Sequence, residues 1–119
     1  MKTAEFKSLA PHTPAGPDIA AAIKFYTTEM GFEVVWKNDT MAQVKRGTVI
    51  FNLMQNDNKV WADNTSFSIG VDDLDALYEE YKGISARVGK LEVKFWGRRE
   101  FHMVVESGVC LQFFQVEPE

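Results

Sequence analysis

"DIAAAIKFY" (residues 18–26) and "DLDALYEEY" (residues 73–81) decide the fold of this 119-residue chain. Each stretch opens on an aspartate and closes on a tyrosine eight residues later. In the first, Ile19, Ile23 and Tyr26, continued by Met30, recur at helical spacing and make one apolar stripe. In the second, Leu74, Leu77, Tyr78 and Tyr81 do the same. Asp18 and Asp73 are residues suited to capping a helix N-terminus. Asp72 and Asp75 add negative charge where the helix dipole welcomes it. The pattern predicts one helix over 18–30, closed by Gly31, and another over about 73–82, followed by Gly83.

Strands flank both helices. "EVVWK" (33–37), "MAQVK" (41–45) and "TVIFNLM" (48–54) are short, β-rich and separated by the turn signals "NDT" and "RG". "REFHMVV" (99–105) and "VCLQFFQV" (109–116) repeat this across "ESG". "SFSIGV" (66–71) alternates, with Phe67, Ile69 and Val71 on one side and Ser66, Ser68 and Gly70 on the other. "KRGTVIFNLMQ" (45–55) also resembles "VESGVCLQFFQ" (105–115). The chain therefore reads as an internal duplication with a period of roughly 55–60 residues, too long for a solenoid repeat. The expected fold is α+β: two pseudo-symmetric βαβββ modules, about 5–56 and 64–117, within one domain spanning 1–119. They form a curved mixed sheet with helices on its outer face.

Alternation then assigns the two faces. Val109, Leu111, Phe113, Phe67, Ile69 and Val71 should pack beneath a helix. The opposite face receives Ser66, Ser68, Gly70, Cys110, Gln112 and Phe114, and in the first module Ile50, Asn52 and Met54. Small residues, amides and aromatics on a concave sheet are the composition of a ligand pocket, or else of solvated positions on an open sheet.

Composition narrows the function. The net charge is −4, and the basic residues are scattered apart from Arg98–Arg99, so nothing resembles a nucleic-acid footprint. The mild negative field favours a cationic ligand. No apolar run approaches a membrane span, and "MKTAEFKSLAPHTP" (1–14) lacks the apolar core of a secretory signal. With a single cysteine, Cys110, a cytoplasmic location is expected. Arg98, Arg99 and Glu100 read as an exposed, salt-linked strand edge, with anion binding as the alternative. No nucleophilic triad or phosphate loop is evident, so the residues give no positive sign of catalysis.

"KFYTTEMGFEVVW" (24–36), "AQVKRGTVIFNL" (42–53), "DNTSFSIGVDDLDALYEEY" (63–81) and "WGRREFHMVVESGVCLQFF" (96–114) together resemble the vicinal oxygen chelate superfamily. That superfamily groups glyoxalase I, extradiol dioxygenases, fosfomycin-resistance transferases and bleomycin-resistance proteins. The resemblance extends over about residues 9–116 and is strongest to the bleomycin-binding members. It implies paired βαβββ modules and a homodimer with ligand clefts at the subunit interface. It also implies where a metal would sit. Metalloenzymes of the superfamily carry a histidine seven residues before the capping aspartate, and a carboxylate late in each module. Those positions fall here on Pro11, Asn52, Ser66 and Gln112, which make a poor set for a divalent transition metal. His12 is one residue out of step and is the remaining metal candidate, should the "TPAGP" turn shift the register. His102, flanked by Phe101 and Met103, reads as a rim residue.

The same resemblance places wall residues of the cleft at Trp36, Met41 and Trp96, with Trp61 between the modules as a further candidate. Core packing is the alternative for each tryptophan. Relatives carry tryptophans where this chain has Ser68 and Gly70, so a roomier and more polar pocket is expected. Pro11 marks where the N-terminal strand can cross to a partner as a swapped arm. The expected function is a metal-free, cofactor-free binding protein that sequesters an aromatic or cationic small molecule, such as an antibiotic. Asn52, Ser66, Ser68 and Gln112 would join the tryptophans and Met41 in holding it. The alternative is a metal-dependent lyase, dioxygenase or thiol transferase of the same fold.

Overall fold

Both aspartates start their helices. In a computed structural model, which describes residues 2–117, Asp18 Oδ1 accepts from the Ala21 amide at 3.2 Å and Asp73 Oδ1 from the Ala76 amide at 3.0 Å. The helices they cap run Ile19–Thr28 (α1) and Leu74–Tyr81 (α3). A second pair of caps is equally symmetric. Gln55 Oε1 accepts from the Ile19 amide at 3.0 Å, and Gln115 Oε1 from the Leu74 amide at 2.9 Å. These glutamines end the two matching strand stretches, so each module ties its last strand to the start of its own helix.

The elements follow the order β1 (His12–Pro14), α1, β2 (Glu33–Lys37), β3 (Met41–Arg46), β4 (Val49–Met54) and α2 (Lys59–Asp63) in the first half. The second half continues with β5 (Ser66–Val71), α3, β6 (Arg87–Val88), β7 (Glu92–Val93), β8 (Arg99–Val104) and β9 (Cys110–Gln115). Each module builds its own mixed sheet. The first has strand order β1-β4-β3-β2 and the second β5-β9-β8-β6, with β7 also paired to β8. In both, the strand before the helix pairs in parallel with the last strand, and the remaining pairs are antiparallel. The pseudo-symmetry therefore extends to topology. β6 and β7, of two residues each, are too short to leave a periodic signal. Trp61, expected on a loop, lies on the short α2.

One core unites the halves. Tyr26, Met30, Val44, Phe51 and Leu53 from the first module join Leu74, Tyr81, Phe101, Leu111 and Phe113 from the second in a single buried cluster. Val109, Leu111, Phe113 and Ile69 are buried as the alternation requires, with Phe67 and Val71 packed at the margin. Phe51 and Phe67 meet across the junction with ring centroids 5.4 Å apart. Arg46 adds a polar clasp. Its guanidinium donates to both Glu80 oxygens at 2.7 and 3.0 Å, to the Met30 carbonyl at 2.9 Å and to the Tyr81 hydroxyl at 3.0 Å.

Candidate ligand-binding site

The helices cover one face of each sheet, and strand register names the side chains on the other. Cross-strand partners share a face. In the first sheet one row therefore reads His12, Asn52, Gln43, Trp36 across β1, β4, β3 and β2. Its counterpart in the second sheet reads Ser68, Gln112, His102 across β5, β9 and β8. Met41 lies one row along, opposite Met54, and Ser66 lies opposite Cys110.

Strand register pairs the two amides with other residues than the count from the helix caps named. His12, not Pro11, is the residue paired with Asn52, and it shares the face of Asn52 rather than the opposite one. In the second module Ser68, not Ser66, is paired with Gln112. In the first module the strand-to-helix connection contributes to this. Gly16, with φ of +84°, turns the chain there and bridges to Asn56. Pro11 precedes β1, and its carbonyl accepts the Asn52 amide at 3.0 Å.

Asn52 is already committed. Its Oδ1 accepts from Gln43 Nε2 at 2.9 Å, and its Nδ2 donates to the Ala10 carbonyl at 3.3 Å. Side chain and backbone of Asn52 thus hold the segment leading into β1. Among the described residues no cluster of three or more His, Cys, Asp or Glu is placed to hold a metal ion. Trp36, 40% exposed, stands on the open face, brought there by a bulge between Val34 and Trp36.

The second module carries a centre that sequence reasoning missed. Glu100 is fully buried, at 0% exposure, on the sheet face away from the helix. Its Oε2 accepts from Trp96 Nε1 at 3.0 Å and from Arg98 Nε at 2.6 Å, and its Oε1 meets His102 Nε2 at 2.6 Å. Burial alone would raise the carboxyl pKa. The hydrogen bonds from His102, Arg98 and Trp96, with the Arg98 charge, outweigh it and bring the pKa down to about 2. An ionised carboxylate only accepts, so His102 Nε2 carries the proton and Nδ1 is left for another partner. The His102 ring lies nearly parallel to Trp96, at 16° and 6.0 Å between centroids. The Arg98 guanidinium lies over the Phe114 ring at 3.9 Å. Of the expected exposed, salt-linked edge, Arg99 pairs with exposed Asp75 at 2.7 Å and Arg98, 40% exposed, is linked to Glu100, whereas Glu100 itself is buried. The available signal was alternation: with Phe101 and Met103 in the core, Glu100 and His102 must share the face of Gln112 and Phe114.

Gly70 also reads differently in three dimensions. A Cβ there would lie 2.5 Å from Val116 Cγ1 and 3.1 Å from the Phe114 ring. Val116 and Phe114 have taken the space that a larger side chain would need at position 70. Cys110 sits on the same face, half-buried, and burial pushes its thiol pKa up, which keeps it protonated. Trp61 lies on α2, off both sheets. No hydrogen bond or ring contact among the described residues joins the first wall, around Trp36, to the second, around Trp96. Two cavities, of about 550 and 580 Å³, lie elsewhere: one beside Asp18, Phe25 and Asn58, the other beside Phe32, Arg46 and Leu77.

Comparison with known proteins agrees with this architecture. The chain is similar to the bleomycin-binding protein of bleomycin-producing Streptomyces verticillus, whose structure holds copper(II)-bleomycin. Identity is 27%, the TM-score is 0.84, and the match covers 97% of this chain and 100% of that one. It shares its fold with a bleomycin resistance determinant encoded on the transposon Tn5, at 23% identity and TM-score 0.81, over 95% of this chain and 100% of the other. TnmS3, an antibiotic-binding protein from Streptomyces sp. CB03234, has the same fold at 17% identity and TM-score 0.76, over 98% and 100%. No curated protein matches the chain in sequence. With two βαβββ modules in place and residues 12–113 matching the family as a whole, the chain belongs to the Glyoxalase/Bleomycin resistance protein/Dioxygenase superfamily.

Proposed function

We propose that this protein is a metal-free binding protein that sequesters a small aromatic compound, of the kind represented by antibiotics, in a cleft completed by a second copy of the chain. The observation that carries the reading is Trp96: 47% exposed, yet held in one orientation by buried Glu100 and backed by His102. A large apolar ring fixed at a surface loses little entropy when a planar ligand covers it. Trp36 offers a second such ring on the first sheet. Each is an open wall within one chain, which favours closure by a partner. Exposed Phe6, Leu9, Val35 and Phe95 supply apolar surface for that contact. The arm before Pro11, clamped by Asn52, is the segment suited to exchange between subunits.

The donor set supports the metal-free part of the reading. With His12 and Ser68 in register, it holds one imidazole, one hydroxyl and two amides, and one amide is already bonded on both sides. None of these brings the negative charge with which carboxylate or thiolate offsets a divalent transition metal. Titrating tryptophan fluorescence with planar aromatic antibiotics should give saturable quenching that Trp96→Ala abolishes. One tightly bound divalent ion per chain in untagged protein, lost in His12→Ala, would instead establish the metal-dependent enzyme. Because Val116 and Phe114 crowd the space at Gly70, copper-loaded bleomycin should bind more weakly than micromolar in calorimetry; a sub-micromolar constant would refute this.

A further inference from the structure

The Glu100 centre sets the charge that a ligand meets, a conclusion that rests on the proposed binding function. Trp96 Nε1 and Arg98 Nε donate to the same oxygen of Glu100, which places indole and guanidinium side by side. Phe114 supports the guanidinium from beneath, and Arg98 Nη2 reaches Ser68 Oγ at 3.5 Å. Arg98 Nη1 makes no hydrogen bond among the described residues, and the side chain is 40% exposed. The carboxylate that balances the charge is buried and has both oxygens engaged. A ligand at this wall therefore meets a positive charge and not a negative one.

We propose that the second-module wall selects planar aromatic anions, an aryl carboxylate or its equivalent, with the ring on Trp96 and the anionic group on the free edge of Arg98. The expectation drawn from net charge, a cationic ligand, is reversed locally. A guanidinium held in plane and along one edge has already lost the freedom that binding would otherwise cost, and its fork matches a carboxylate. The net charge of −4 acts through water and salt, which screen it beyond roughly 8 Å, whereas Arg98 acts in contact.

Three probes of one shape separate the possibilities: 2-naphthoate, neutral 2-naphthamide and 2-naphthylmethylammonium, each titrated into the full-length protein by calorimetry and tryptophan fluorescence. Naphthoate should bind about tenfold more tightly than naphthamide, the scale of one charge-assisted hydrogen-bonded pair, and more tightly still than the ammonium probe. Its affinity should fall as salt rises. In Arg98→Met the affinities for naphthoate and naphthamide should converge. Should that variant fail to fold, the probe order and salt dependence of the unaltered protein decide the matter alone. Equal binding of all three probes, or a preference for the ammonium, overturns the charge assignment and leaves aromatic sequestration standing. If none of the three binds, both readings fall.

Discussion

Glu100 shows how much one residue can organise. Its carboxylate is excluded from water and would be costly there unless paired and fully hydrogen-bonded. Trp96, Arg98 and His102 meet that requirement, and all three are thereby fixed on the open sheet face. Removing the carboxylate by Glu100→Ala leaves the Trp96 and His102 donors without their acceptor, while Arg98, 40% exposed, can turn to water, and should cost about 1–3 kcal/mol in chemical denaturation. The pH dependence has a defined sign. The pKa in the folded protein lies below the ordinary carboxylate value of 4.5, so the stabilisation is complete above that value and is lost as pH falls toward 2. Glu100→Gln should flatten the stability profile across that window. An unchanged acid limb would mean that the carboxylate contributes nothing as an anion.

At the scale of elements, the helices are tied to the sheets by paired devices: an aspartate cap and a glutamine from the last strand at each N-terminus. An amide in the first turn has no partner within its helix, and the glutamine oxygen supplies one. Gln55→Ala and Gln115→Ala should each cost about 1 kcal/mol in urea unfolding, and the double variant should show their sum because the sites share no partner. The β8–β9 turn is more demanding. Gly108 has φ of +113°, and a Cβ there would stand 2.2 Å from Asp63 Oδ1, a side chain held by Lys59 at 3.2 Å. Gly108→Ala combines backbone strain with that clash and should destabilise by about 1–3 kcal/mol, measured by the urea midpoint at constant slope.

For the molecule as a whole, two open walls and the exposed ring of Phe95 (97%) argue for a closed pair of chains. Sedimentation should give twice the 13.5 kDa of the single chain at micromolar concentration. Phe6→Ser combined with Leu9→Ser, in the arm before β1, should weaken that association without lowering the denaturation midpoint of the isolated chain, because both residues are exposed within it. A single-chain species in the unaltered protein would remove the proposed cleft.

The sequence by itself determined the modules, their two capped helices and the division of β4, β5 and β9 into core and open face. Those features rest on local periodicity and capping, which are written residue by residue: Ile19 to Met30, Leu74 to Tyr81, Phe67-Ile69-Val71. The duplication was legible because both copies keep the aspartate and the closing glutamine. Only the tertiary structure decided which residues meet across strands. Register depends on the length of connections such as "TPAGP", and a shift of one residue exchanged Pro11 for His12 beside Asn52. It also decided that Glu100, charged and preceded by two arginines, is buried. Sequence spacing places charges along a strand, but whether a charge is hydrated or enclosed depends on the loop carrying Trp96, folded back onto it.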